Sequence, residues 1–312
     1  MNIEKGKVFN LEERRPKVLL MGNGLTYGSG VPWHELIHKV ARPGIDFSKY
    51  EERDEKDQFI RFHVPNTVLT LATSEVSDDR RHTRYVDVLK DIQYPENQKL
   101  KELLSTPFDA ILTTNYTYEL EAVLYHRYPS LKEKGKRKYA YVTEKDKDRR
   151  ILLQTYNCFP GSSQEIWHIH GELRRPSSII LSHDEYARLV RELLTYNRER
   201  GGIYETKRKE LEFKSWVDYF LMGDVYILGL SFDFSEFDLW WLLGRRLREK
   251  SGCGKIVFYE PKKKDSLHKQ YALHDAGVDV RTMDIEIGSN GGTYEVFYKQ
   301  ALNDIRSEVS GK

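Results

Sequence analysis

Five short, mostly apolar runs recur along this chain, and each stops at a glycine, a small polar residue or an acid. They are Lys17-Val18-Leu19-Leu20-Met21, Phe108-Asp109-Ala110-Ile111-Leu112-Thr113, Ile166-Trp167-His168-Ile169-His170, Val225-Tyr226-Ile227-Leu228 and Lys255-Ile256-Val257-Phe258-Tyr259. Each is too short for a helix and too continuous for a strand with one wet face. Such runs suit strands buried on both sides, which belong to parallel sheets. Parallel neighbours need long crossovers, and the intervening segments supply them with helical spacing. Trp33, Leu36, Ile37 and Val40 share one face, as do Tyr116, Leu120, Val123 and Leu124, and later Leu239, Leu242, Leu243 and Leu247.

The expected fold is α/β: a Rossmann-like, mostly parallel sheet with helices on both faces and a helical insert. Residues 1–16 read as a polar N-terminal arm, and 17–312 as a single domain. The stretch 41–106 is polar and weakly periodic, and reads as an irregular helical insert. The segment 132–164 opens with a dense mixture of Lys, Arg, Asp and Glu, and reads as a charged surface loop. Ile179-Ile180-Leu181 reads as a short apolar segment, and Ser182 with Glu185 forms a capping box for the helix that follows. A second helix is expected to carry Phe213, Trp216, Val217, Phe220 and Leu221. Val278-Asp279-Val280 suits an edge strand, and Tyr294 to Val309 a last helix.

Composition narrows the function classes. Formal net charge is +2 over 312 residues, so no bulk electrostatic attraction to nucleic acid or to a membrane surface is expected. No apolar run reaches the length of a membrane span, and the first residues carry no signal-peptide core. The two cysteines, Cys158 and Cys253, can build neither a disulfide framework nor a cysteine-rich zinc site. These features lead to the expectation of a cytoplasmic protein without a structural metal.

In an open parallel sheet, ligands bind beyond the carboxyl ends of the strands. The residues there are Gly22-Asn23-Gly24-Leu25-Thr26, Thr114-Asn115, His170-Gly171, Gly229-Leu230-Ser231 and Tyr259-Glu260. Glycines admit a phosphate to the backbone, and a helix N-terminus favours its charge. The first loop matches the dinucleotide fingerprint only in part. Gly22 and Gly24 fit, but Tyr27 stands at the third glycine position, and no acid ends a clear second strand nearby. That argues against an ordinary dehydrogenase.

Taken in order, Gly22-Asn23-Gly24-Leu25-Thr26, Gly30-Val31-Pro32, Thr113-Thr114-Asn115-Tyr116, His168-Ile169-His170-Gly171 and Gly229-Leu230-Ser231-Phe232 resemble the sirtuin-like family, most closely its bacterial zinc-free branch. The resemblance implies NAD as a substrate, with no metal. It puts Gly22, Gly24 and Thr26 along the pyrophosphate, Asn115 under the nicotinamide ribose and His170 at the ribose hydroxyls. Gly229 and Ser231 fall on the adenosine side and Tyr259 near the adenine. Asn23, Pro32 and Thr114 complete the nucleotide-binding set. The implied activity is NAD glycohydrolysis, releasing nicotinamide and ADP-ribose, in an antiphage defence effector that depletes NAD. Such an effector implies a separately encoded activator or sensor and a homo-oligomeric switch.

Two departures from the deacylase pattern stand out. The four-cysteine zinc module is missing, and Thr114-Asn115-Tyr116-Thr117 has Thr where that pattern has glutamine, and Thr117 where it has aspartate. A non-catalytic NAD or nucleotide sensor and a zinc-free deacylase are the alternative functions. Plainer roles compete at single residues. His168 suits a structural role, and Asn115 or Ser231 could merely cap a helix. Trp240-Trp241 suits core and subunit interface equally. Asp233, Glu236 and Asp238 are as well explained by the start of a helix as by a metal site.

Overall fold

The structure is a computed structural model, and it describes residues 7–26, 33–90 except 54, 56 and 58, 96–127, 156–158, 164–200 except 174, 209–249, 253–262, 267–283 and 293–311. A seven-stranded sheet organises it. Six strands are parallel: β2 (Lys17–Met21), β5 (Ala110–Thr113), β7 (Glu165–His168), β9 (Asp224–Leu228), β10 (Ile256–Pro261) and β11 (Val278–Met283). Their order is β11-β10-β9-β2-β5-β7, and β6 (Tyr156–Cys158) adds an antiparallel edge beyond β7. From β2 the chain winds one way through β5 and β7, then returns to β9 and winds the other way. The winding reverses between β2 and β9, the place where an open α/β sheet forms a crevice at its carboxyl edge.

The strands alternate their side chains onto two cores. Val18, Leu20, Ala110, Leu112, Val225, Ile227, Ile256 and Phe258 face one side. There they meet α6 (His183–Glu199), α7 (Trp216–Met222), α8 (Phe237–Glu249) and α9 (Leu267–Asp275). Leu19, Met21, Ile111, Tyr226, Leu228, Val257 and Tyr259 face the other, under α4 (Gln98–Leu104), α5 (Glu119–Arg127) and α10 (Thr293–Ser310). The middle positions of β2, β5, β9 and β10 are apolar because both faces are covered there. Trp240 and Trp241 pack partly buried against the first core.

The insert is more regular than its sequence suggests. It holds a hairpin of β3 (Glu51–Arg53) and β4 (Phe59–Phe62), α2 (Pro65–Thr73) and α3 (Asp78–Leu89), which pack with the preceding α1 (Trp33–Val40). Leu36, Ile37 and Val40 of α1 join Val68, Leu69, Tyr85 and Leu89 of the insert in a separate core. That core is completed from outside. After a 3-10 turn at Pro176–Ser178, Ile179 and Leu181 enter the insert core while Ile180 enters the sheet core.

Two further expectations are corrected. Part of the arm is a strand: β1 (Lys7–Asn10) pairs antiparallel with β8 (Glu210–Phe213), burying Phe9 and leaving Val8 exposed. Phe213 therefore lies in a strand, and the helix begins after Ser215, whose capping box with Asp218 fixes its start at Trp216. Within the expected loop 132–164, the described residues include β6, and 132–155 lie outside them. Among the described residues no helix is long and apolar enough to cross a membrane.

Candidate functional site

At the reversal between β2 and β9 two loops are in contact. After β2 a 3-10 turn spans Asn23–Thr26, and the Gly22 and Gly24 N–H groups donate to Leu228 O at 3.3 Å and Gly229 O at 2.8 Å. A Cβ on Gly22 would lie 2.7 Å from the Gly229 carbonyl oxygen, and one on Gly24 2.8 Å from it. Gly229 itself has φ +71°, a conformation that side chains other than glycine's rarely adopt. These glycines are thus required by one loop's approach to the other. Asn23 is exposed and Gly24 half-buried at the lip, and the Asn97 amide, at the start of α4, ties the turn down through Leu25 O at 3.1 Å. Pro32 and Gly30 lie outside the described residues.

Beside these loops, β5 and β7 are sheet neighbours, with Thr113 opposite His168. Thr114 N–H donates to Met21 O at 3.2 Å, so the turn after β5 rests on the end of β2. Asn115 follows, 8% exposed, with its N–H on the Thr113 hydroxyl at 3.1 Å. Its carbonyl receives the Nδ1–H of His168 at 2.7 Å, and His168 Nε2 meets Glu121 Oε1 at 2.7 Å. Both ring nitrogens thus face acceptors, which requires the imidazolium. Burial alone would lower the His168 pKa, but Glu121 outweighs it and the value rises to about 9. His168 is the structural post expected of it, and what it supports is the Asn115 turn. The Asn115 side-chain amide makes no hydrogen bond among the described residues.

His170 ends the run after β7 and is 2% exposed. Gly171, at φ +90°, turns the chain so that Ile180 N–H returns to His170 O at 2.9 Å. The ring stands edge-on to Tyr186 of α6, centroids 5.6 Å apart. Its Nε2 lies 3.0 Å from Asp238 Oδ2 and 3.8 Å from Glu236 Oε2, while Tyr186 donates to Glu236 at 3.1 Å. Burial pushes the imidazole pKa down, but Asp238 and then Glu236 reverse this and hold it above the ordinary 6.5. Burial raises the carboxyl of Glu236 and, by a larger margin, the phenols of Tyr116 and Tyr186. Among the described residues, the one group of three donors close enough to hold a cation is His170, Glu236 and Asp238, within 4.8 Å of one another.

The structure therefore gathers Gly22, Asn23, Gly24, Thr114, Asn115, His170 and Gly229 on one edge of the sheet. Ser231 is exposed on the loop after β9, with its carbonyl receiving Lys269 Nζ at 2.8 Å. Tyr259 is placed elsewhere. Strand β10 continues through Glu260 and Pro261, so Tyr259 is not a strand-end residue. It is fully buried under α10, and its hydroxyl donates to Asp304 at 2.8 Å. Three groups escaped the sequence reading in these roles. Asp238 and Glu236 meet His170 from 68 and 66 residues further on, and Glu119, buried, receives the Thr117 hydroxyl. Glu119 brings a carboxyl group back to the turn that lacks an aspartate at Thr117.

A family model described as a SIR2-like domain matches residues 109–280, more than half the chain, running from β5 into the first half of β11 and including Asn115, His170 and Asp238. No curated protein matches the chain.

Proposed function

This chain belongs to the family of SIR2-like domains, a family associated with NAD chemistry, and on that premise we propose that it is an NAD glycohydrolase. The observation that carries this reading is the pairing of two polar groups without partners among the described residues. The Asn115 amide and His170 Nδ1 stand at the carboxyl ends of adjacent strands, beside the contacting glycine loops.

NAD suits that edge as a substrate. Its phosphates fit the lip at Asn23 and Gly24, and its nicotinamide ribose fits between Asn115 and His170. Breaking the bond from ribose C1′ to the nicotinamide nitrogen sends the bonding pair to the pyridinium, which leaves neutral. The ribose becomes oxocarbenium-like. A water oriented by the Asn115 amide adds to C1′. The proton released on hydration, or drawn from a ribose hydroxyl to stabilise the cation, goes to neutral His170. The products are nicotinamide and ADP-ribose.

The finer reading, of an antiphage effector that depletes NAD, rests on the resemblance described above, as do a separately encoded activator and a homo-oligomeric switch. The chemistry is tested by incubating purified protein with NAD and measuring nicotinamide. His170→Ala and Asn115→Ala are each expected to lower release by about 10²-fold or more. Release that persists unchanged in both variants overturns the mechanism. Ligand protection without product selects the sensor instead.

A further inference from the structure

We propose that Asp238 is a positioning residue that fixes the tautomer of His170, so that Nδ1 is the nitrogen presented to substrate. The inference rests on the glycohydrolase reading for its kinetic consequence, but its structural part stands on its own. His170 Nε2 and Asp238 Oδ2 are 3.0 Å apart, and both side chains are almost wholly withdrawn from water. A carboxylate only accepts hydrogen bonds. The single proton of a neutral imidazole therefore sits on Nε2, because the other tautomer sets two lone pairs against each other at that distance. Nδ1 then carries the lone pair, and it makes no hydrogen bond among the described residues.

Neighbouring groups support both steps of a proton transfer. Tyr186 of α6 packs edge-on to the ring and keeps it from rotating. Tyr186 also holds Glu236, whose Oε2 is 3.8 Å from Nε2. When Nδ1 takes a proton, the imidazolium so formed lies against two acidic side chains. The groups facing the ring are thus Tyr186 from α6, Glu236 from the loop before α8 and Asp238 from α8, with Tyr116 near both acids. Asp238 is wholly buried and its second oxygen, Oδ1, has no partner among the described residues. Competition from another donor therefore does not weaken the bond to His170. A cation bridging His170, Glu236 and Asp238 would have the opposite effect. It would take the Nε2 lone pair, move the proton to Nδ1 and abolish the base.

The test uses the full chain labelled with ¹⁵N-histidine. Two-bond ¹H–¹⁵N spectra, with His170→Gln to assign the signal, are expected to show the Nε2–H form of neutral His170. In Asp238→Asn the amide can donate to Nε2, so the proton is expected to shift to Nδ1 and the imidazole pKa to fall. With NAD, the same variant is expected to lose about 10²- to 10⁴-fold in kcat, with KM changed less than about threefold. Its acid limb in kcat/KM should move to lower pH, which a merely structural loss would not cause. An Nδ1–H signal in the unaltered chain overturns the proposal, whether a cation or another contact puts it there. So does an Asp238→Asn protein with unchanged kcat and an unmoved acid limb. If the unaltered protein releases no nicotinamide, the glycohydrolase reading fails and the spectrum alone still decides the tautomer.

Discussion

The buried pair of His168 and Glu121 gives folding stability a definite pH signature. Held at about 9 in the folded chain against an ordinary 6.5, the His168 imidazole contributes about 3 kcal/mol of folding stability as the imidazolium. Because the folded value is the higher one, the contribution is complete below pH 6.5. It declines as the pH rises and is gone above about 9. Glu121→Gln removes the charge that raises the imidazole and leaves burial, which lowers it. The variant is therefore expected to be less stable than the unaltered protein at pH 6.5 by up to about 3 kcal/mol, and almost equal to it at pH 9.5. Urea unfolding followed by tryptophan fluorescence at half-unit steps of pH reads the difference. Parallel loss of stability in both proteins across that range refutes the assignment of the imidazolium to His168. The neutral ring of the variant can still donate from Nδ1 to the Asn115 carbonyl, so the Asn115 turn and NAD cleavage are expected to survive.

Other perturbations probe the loops and the reaction. Gly22→Ala sets a methyl 2.7 Å from the Gly229 carbonyl oxygen. Backbone cannot yield cheaply there, so a loss of about 1–3 kcal/mol and a melting temperature lower by several degrees are expected. Thr117→Val removes the hydroxyl that donates to buried Glu119, and should raise that carboxyl further and cost about 1–3 kcal/mol in urea unfolding. The logarithm of kcat/KM for NAD is expected to rise with pH and level off above the His170 value, which lies above 6.5. A flat profile from pH 6 to 9 separates His170 from the proton transfer. Chelation of divalent cations should leave nicotinamide release unchanged.

The sheet was legible because its strands are buried twice over. Leu19 and Leu20 point to opposite cores, so the sequence has no polar position to interrupt the run. The elements that escaped notice are short and half wet. Lys7–Asn10 buries Phe9 alone, and the hairpin of β3 and β4 carries charges on both strands. The insert looked irregular because its core is not complete within its own sequence and borrows Ile179 and Leu181. The placement of Asn115 and His170 at the sheet's carboxyl edge could be read because each follows a readable strand. The residues packed against His170 could not be read. Asp238 has an ordinary explanation at the start of a helix, and nothing local says that this helix start faces β7. Tyr259 misled for the converse reason, since the acid after it looked like the end of a strand that in fact continues through Pro261.

The alternation at Ile179-Ile180-Leu181 has a consequence for how this chain comes apart. Three consecutive side chains are divided between two cores, and the middle one's N–H holds the His170 carbonyl. Detaching the insert strips two large side chains from it and drags on the third. Local opening of the insert therefore carries a penalty in the sheet, and the insert core and the sheet core are expected to melt as one cooperative unit in thermal unfolding. The same three residues make the Ile180 amide, bonded to the His170 carbonyl, a reporter of the insert's state: its hydrogen exchange is expected to follow the loosening of the insert core.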